Sequence, residues 1–182
     1  MMTKKTKTID LIMCTAFAAL IAVGAYIRFY VGVVPFTMQV FFVILAGMLL
    51  GSKIGTVSVL IYIFIGLLGI PVFTDGGGIW YFLNPKFGYI IGFAIAAFVI
   101  GIMIPKGECK FLRYFIAGLT GIGIIYLVGV SYYWAVSFFY LRKNLSFQFL
   151  MIYCFLITLP GDILSCLLAA VISKRISKAV KR

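Results

Sequence analysis

Histidine is absent from the chain, and its 182 positions hold only four acids: Asp10, Asp75, Glu108 and Asp162. Without histidine, the commonest general base and a leading zinc ligand are both missing. No two acids lie close together in sequence, so no paired-carboxylate motif is present. No Walker-type glycine loop ending in Lys-Ser or Lys-Thr occurs, so any ATP hydrolysis has to come from another chain. The four cysteines, Cys14, Cys109, Cys154 and Cys166, have neither metal-pair nor redox-pair spacing. Three of them fall in or near apolar runs, where cysteine acts as a small hydrophobe. These absences argue against a catalytic site, a metal site and a bound cofactor.

Charge is scarce as well. Charged residues make up 11% of the chain and hydrophobic ones 64%, whereas a soluble domain carries about 25% charged residues. A membrane-spanning helix needs about 20 mainly apolar residues. The chain has room for six such segments with short connections and no soluble domain beside them. The expected fold class is an all-α membrane protein: one domain, residues 1–182, forming a bundle of six transmembrane helices. The net charge of +12 does not point to nucleic acid. The basic residues fall at chain ends and between apolar runs, as topology signals and lipid-phosphate partners do.

Apolar runs predict helices over residues 9–26, 37–50, 55–68, 85–104 and 111–131, with a last one starting near Pro160. The first run follows three lysines but lacks a clear small-x-small cleavage site, so it reads as a retained helix. Gly51-Ser52-Lys53 and Gly69-Ile70-Pro71 punctuate the second and third runs. Residues 146–158 are either a separate short helix or the start of the last one, kinked at Pro160. With the N-terminus inside and six crossings, the inner side holds Lys4, Lys5, Lys7, Lys53, Lys106, Lys110, Arg113, Lys174, Arg175, Lys178, Lys181 and Arg182. The outer side holds Arg28, Lys86, Arg142 and Lys143. This split of 12 to 4 accounts for all 16 basic residues and predicts both termini in the cytoplasm.

Asp162 is the acid that stands out, because apolar sequence flanks it on both sides. A carboxylate inside a membrane helix costs about 2.5–3.5 kcal/mol at the centre, so it is normally paired or functional. It also falls just inside a helix start, where the helix dipole favours it and where a plain capping role is the alternative. Asp10 and Glu108 read as solvated, and Asp75 as either a turn residue or a ligand. The stretch from Gly76 to Tyr89 offers flexible glycines, the flat walls of Trp80, Tyr81 and Tyr89, the amide of Asn84 and the cation of Lys86. An aromatic belt with a lysine anchor is the alternative there. Gln39 is an amide heading a long apolar run, suited to a cavity wall or an interhelical bond. Cys14, Ala18 and Ala22 recur every four residues and make a flat stripe for close helix packing, either within the chain or on a partner.

Several blocks resemble one family. Pro35-Phe36-Thr37-Met38-Gln39 with the apolar run to Gly51, Gly66-Leu67-Leu68-Gly69-Ile70-Pro71-Val72-Phe73, Asn84-Pro85-Lys86-Phe87-Gly88-Tyr89, and Leu159-Pro160-Gly161-Asp162-Ile163-Leu164 occur in the order found in BioY. BioY is the biotin-specific S component of energy-coupling factor transporters. The resemblance implies a six-helix subunit in the bacterial plasma membrane that captures biotin from outside. It implies docking through Cys14, Ala18 and Ala22 onto a transmembrane coupling protein driven by two ATPase subunits, and it puts Asp162 in the binding pocket. Two positions depart from the family pattern: Lys86 replaces a threonine and Ser165 replaces a lysine. The expectation that follows is that Lys86 pairs with Asp162 or with the ligand carboxylate. Asp162, Asn84, Lys86, Tyr89, Gln39 and Trp80 are the candidate ligand-binding residues. Other readings are an S component for another anionic nutrient such as lipoate, and a structural membrane protein.

Overall fold

The computed structural model describes residues 4–29, 34–105 and 109–180. Lys106, Glu108, Lys181 and Arg182 lie outside the described residues, as do the side chains of Lys4, Lys5 and Lys7. Among the described residues, six α-helices follow in order: α1 (Lys4–Tyr26), α2 (Gln39–Leu67), α3 (Phe87–Met103), α4 (Phe111–Ala135), α5 (Phe147–Met151) and α6 (Leu159–Val180). A two-residue antiparallel ribbon, β1 (Arg28–Phe29) with β2 (Phe36–Thr37), bridges α1 to α2. Wide π turns continue α4 over Val136–Tyr140 and α5 over Ile152–Leu156. α5 therefore leads almost directly into α6.

The helix named α2 is two arms. A straight helix rises about 1.5 Å per residue, which would hold Gln39 and Tyr62 roughly 35 Å apart. Their side chains are hydrogen-bonded at 2.6 Å, so the chain turns back on itself. The turn is at Gly51, where φ is 77° and ψ is −178°, a conformation essentially reserved for glycine. The arms, residues 39–50 and 52–67, then lie close together. A Cβ placed on Gly55 would come within 2.9 Å of the Ala46 carbonyl oxygen. The break between the second and third apolar runs thus occurs where the sequence places it, and it is a tight hairpin.

Around this hairpin, α2, α3, α4 and α6 pack into a ring and α1 lies along α2. The centre is filled by Ile21, Val43, Ile44, Val59, Ala96, Ile100, Ala117 and Ala169. The outside is as apolar as the inside: Leu11, Phe64, Ile102, Leu127 and Leu164 are all exposed. Such a surface suits hydrocarbon, where helices satisfy their own backbone groups. Among the described residues, four helical stretches are long and apolar enough to cross a membrane: Thr8–Tyr26, Gln39–Leu67, Phe111–Tyr140 and Gln148–Ala179. A fifth, Phe87–Met103, is apolar but shorter.

The two ends of the bundle differ. One end gathers the Gly51 hairpin, the start of α4 and the end of α6. There Gly101 lies against the backbone of Gly51 and Ser52, and the Tyr114 hydroxyl donates to Ser177 Oγ at 2.9 Å. Lys53, Lys110, Arg113, Lys174, Arg175 and Lys178 sit at this end, which is called the basic end below. The other end is closed by the segment between α2 and α3. Tyr26 from α1 bonds to the Pro71 carbonyl and Tyr132 from α4 to the Phe82 carbonyl. Phe73 plugs inward, its ring so close to Gly66 that an added Cβ would meet it at 2.1 Å.

The Cys14, Ala18 and Ala22 stripe is packed inside the protein. Cys14 and Ala18 are buried and Ala22 is half-buried against the core. Cys14 Sγ lies 3.6 Å from the Ile54 carbonyl and accepts from Ser58 Oγ at 3.5 Å. Of the two packings that the spacing allows, the described residues show the one within the chain. Small residues let helices approach closely, and here the second arm of α2 takes that space.

Candidate functional site: a buried acid and a lysine in one cavity

α6 opens with Leu159-Pro160, and proline at this first turn sacrifices no backbone bond. The first internal bond of the helix runs from the Asp162 N–H to the Thr158 carbonyl at 3.2 Å. This start turns the Asp162 carboxylate into the bundle, where only 5% of the residue is exposed. Tyr126 from α4 donates its hydroxyl to Asp162 Oδ2, and that hydroxyl also lies 2.7 Å from Thr158 Oγ1. Tyr89 from α3 meets Tyr126 edge to face, with ring centres 6.2 Å apart. Its own hydroxyl donates to the Cys154 carbonyl inside the π turn, at 2.8 Å. The site is therefore braced by α3, α4 and the α5–α6 junction together.

Across the cavity, Gln39 begins α2. Its Nε2 donates to the Tyr62 hydroxyl at 2.6 Å, and that hydroxyl donates onward to the Val72 carbonyl at 3.3 Å. Thr37 Oγ1 lies 3.4 Å from Gln39 Oε1. Burying an amide without partners is costly, and this chain of bonds meets that cost on both sides of Gln39. It also ties the cavity wall to the closing segment.

Thr37, Gln39, Thr74, Lys86, Tyr89, Tyr126, Thr158 and Asp162 supply the polar lining. Val34, Phe36, Val40, Ile90, Phe93 and Ile125 supply the apolar walls. The cavity volume is about 50 Å³. That is far below the roughly 300–1,000 Å³ of a typical small-molecule pocket, so a guest of that size has to push a wall outward.

Among the sequence-predicted residues, Asp162, Lys86, Tyr89 and Gln39 converge on this cavity. Asn84 does not line it. Its Oδ1 accepts the Lys86 backbone N–H at 3.0 Å and so shapes the turn that presents Lys86. Trp80 also lies outside the lining and is 75% exposed. The anticipated ion pair between Lys86 and Asp162 is not formed. Lys86 Nζ sits 2.8 Å from Asp75 Oδ2, because Asp75 is carried by the same closing segment while Asp162 lies deeper and bonds to Tyr126. Tyr126, Thr158 and Tyr62 were not predicted from the sequence. Tyrosine occurs eleven times in the chain, and nothing in its spacing singles out these positions.

Apolar helices around a polar-lined cavity at one end define a multi-pass membrane protein with a site for a small molecule. Comparison with known proteins gives the family. The BioY family model matches residues 2–182, and the chain belongs to the BioY family. It is 44% identical over 181 residues to the "Probable biotin transporter BioY" of Lysinibacillus sphaericus, covering 99% of this chain and 92% of that one. It is 40% identical over 172 residues to the "Biotin transporter BioY" of Thermotoga maritima, covering 93% and 96% respectively. Its fold matches the solved structure of "the S-component for biotin from an ECF-type ABC transporter" with a TM-score of 0.83. That match has 30% identity and covers 98% of this chain and 95% of that one.

Proposed function

We propose that this protein is the membrane-embedded biotin-binding subunit of an uptake system. The observation that carries the reading is one cavity lined, among the described residues, by a single carboxylate, Asp162, and a single ammonium, Lys86, between aromatic and aliphatic walls. Biotin pairs a neutral ureido ring that donates N–H bonds with an apolar chain ending in a carboxylate. Asp162 Oδ1 takes no hydrogen bond from the described residues and is the acceptor offered to the ureido N–H. Gln39 adds an amide, Tyr89 and Tyr126 add flat walls, and Lys86 meets the carboxylate. Asn84 serves by holding the Lys86 turn, and Trp80 lies at the rim of the same segment. The relatives at 44% and 40% identity bear the name of biotin transporters, which supports this ligand.

The chain crosses the membrane six times in this reading, with both termini in the cytoplasm. The hairpin at Gly51 supplies the sixth crossing, and the collection of basic residues at one end of the bundle supports the orientation. The protein acts as a single binding unit with no catalytic group of its own. Uptake is driven by a separate transmembrane coupling protein with two ATPase subunits. The absence of a phosphate-binding loop in this sequence and the ECF-type origin of the solved relative support that partnership.

The test is calorimetry of the purified protein in detergent with biotin, lipoate and an unrelated vitamin. The expected result is saturable one-to-one binding of biotin and weak or no heat from the others. Equal binding of lipoate would overturn the ligand assignment, and heat from none would overturn the binding role.

A further inference from the structure

Lys86 is the sole cation lining the cavity among the described residues, yet its ammonium rests on a carboxylate outside that lining. Asp75 Oδ2 accepts from it at 2.8 Å, and the two side chains keep 20% and 32% exposure. The backbone on both sides of the pair is pinned. Asn84 Oδ1 holds the Lys86 N–H. Asp75 sits in a turn closed by the Phe73 N–H to the Gly76 carbonyl at 2.9 Å and the Gly76 N–H to the Phe73 carbonyl at 3.3 Å. The neighbouring Thr74, which lines the cavity, has its Oγ1 3.2 Å from the Tyr81 hydroxyl. Only the two side chains are free to rearrange without moving backbone.

We infer that Asp75 is a built-in competitor for the ligand's carboxylate: Lys86 is held on Asp75 and is exchanged onto the ligand when an anionic guest enters. This rests on the biotin reading above. A partly solvated ion pair is weak, so the exchange is cheap. It needs little more than a rotation of the Lys86 stem from Asp75 toward the cavity that Lys86 already lines. Asp75 thereby lowers affinity for anions alone and leaves neutral relatives of the same shape unaffected, which makes the pair a tuner of acid preference and of release.

Binding of biotin and of its neutral primary amide to wild-type protein, D75N, K86M and the double variant, at fixed ionic strength, tests this. D75N is expected to tighten biotin about three- to fivefold, the scale of an exposed ion pair, and to leave the amide within about twofold. K86M is expected to lose the preference for acid over amide, and D75N is expected to give no gain on the K86M background. Should D75N weaken biotin or shift acid and amide together, or should K86M keep the acid preference, the exchange is wrong while the functional reading stands. Wild-type protein that binds neither compound overturns the functional reading first. D75N provides a readout even if K86M folds poorly, because Asp75 is exposed in a turn.

Discussion

At the cavity end, the polar side chains point inward and find one another; at the basic end the lysines point outward. Asp162, Gln39 and Thr158 are each at least 94% buried, and each has a named partner. Lys53, Lys110, Lys174 and Lys178 are exposed. The difference follows from desolvation. A polar group taken out of water must recover its bonds inside the protein, so the cavity end is a network whose members depend on one another. The basic end gives up no hydration, so its residues act independently and in sum, as a field that orients the chain. A substitution at the first end is therefore expected to spread, and one at the second to stay local.

The sharpest way to break that contrast is Asp162→Ala. It removes the acceptor of Tyr126 and the ureido partner together. Biotin affinity is expected to fall by about 2–4 kcal/mol, on the scale of truncating one member of a buried charged pair, as read by calorimetry. Next in size is Gly66→Ala, which drives a methyl into the Phe73 ring. Overpacking of this kind costs about 1–3 kcal/mol, and thermal unfolding in detergent should show it as a lower midpoint with the closing segment loosened. Tyr126→Phe keeps the ring edge to face with Phe155, 4.8 Å between centres, and deletes only the hydroxyl. Losing a hydrogen bond to a charged group is worth about 1.5 kcal/mol, so biotin affinity should drop by roughly tenfold. Lys53→Ala at the basic end is the smallest. Biotin affinity should stay within about twofold, since an exposed lysine away from the cavity gains little from any one neighbour. A loss there as large as that of Tyr126→Phe would show that the two ends are coupled and would undo the comparison.

Much of the cavity was legible in the chain because membrane segments make polar residues conspicuous. Asp162 and Gln39 each interrupt or head an apolar run, and an amide or acid in such a place has few bland explanations. Gly51-Ser52-Lys53 announced a break, and the break is there. The sequence left open whatever depended on which way a helix is rotated. The small stripe of α1 has the same spacing whether it faces a partner or the chain's own α2, and only packing made the choice. Lys86 and Asp162 look like natural partners in a sequence with four acids, yet Asp75 lies eleven residues from Lys86 and takes the ion pair. Tyr126 was invisible because aromatic residues are ordinary in apolar helices.

The sequence by itself determined the class of protein, the positions of its apolar segments, the asymmetry of its charge and the presence of an acid that could not be left unpaired. Those properties follow from hydropathy and charge summed over one helix length, and they hold whatever the neighbours are. The tertiary structure alone decided that Tyr126 satisfies Asp162, that Tyr62 links Gln39 to the closing segment and that Lys86 turns to Asp75. These contacts join residues 36, 23 and 11 positions apart. They depend on how the hairpin folds and how each helix is rotated, and that geometry emerges only when all the helices pack at once.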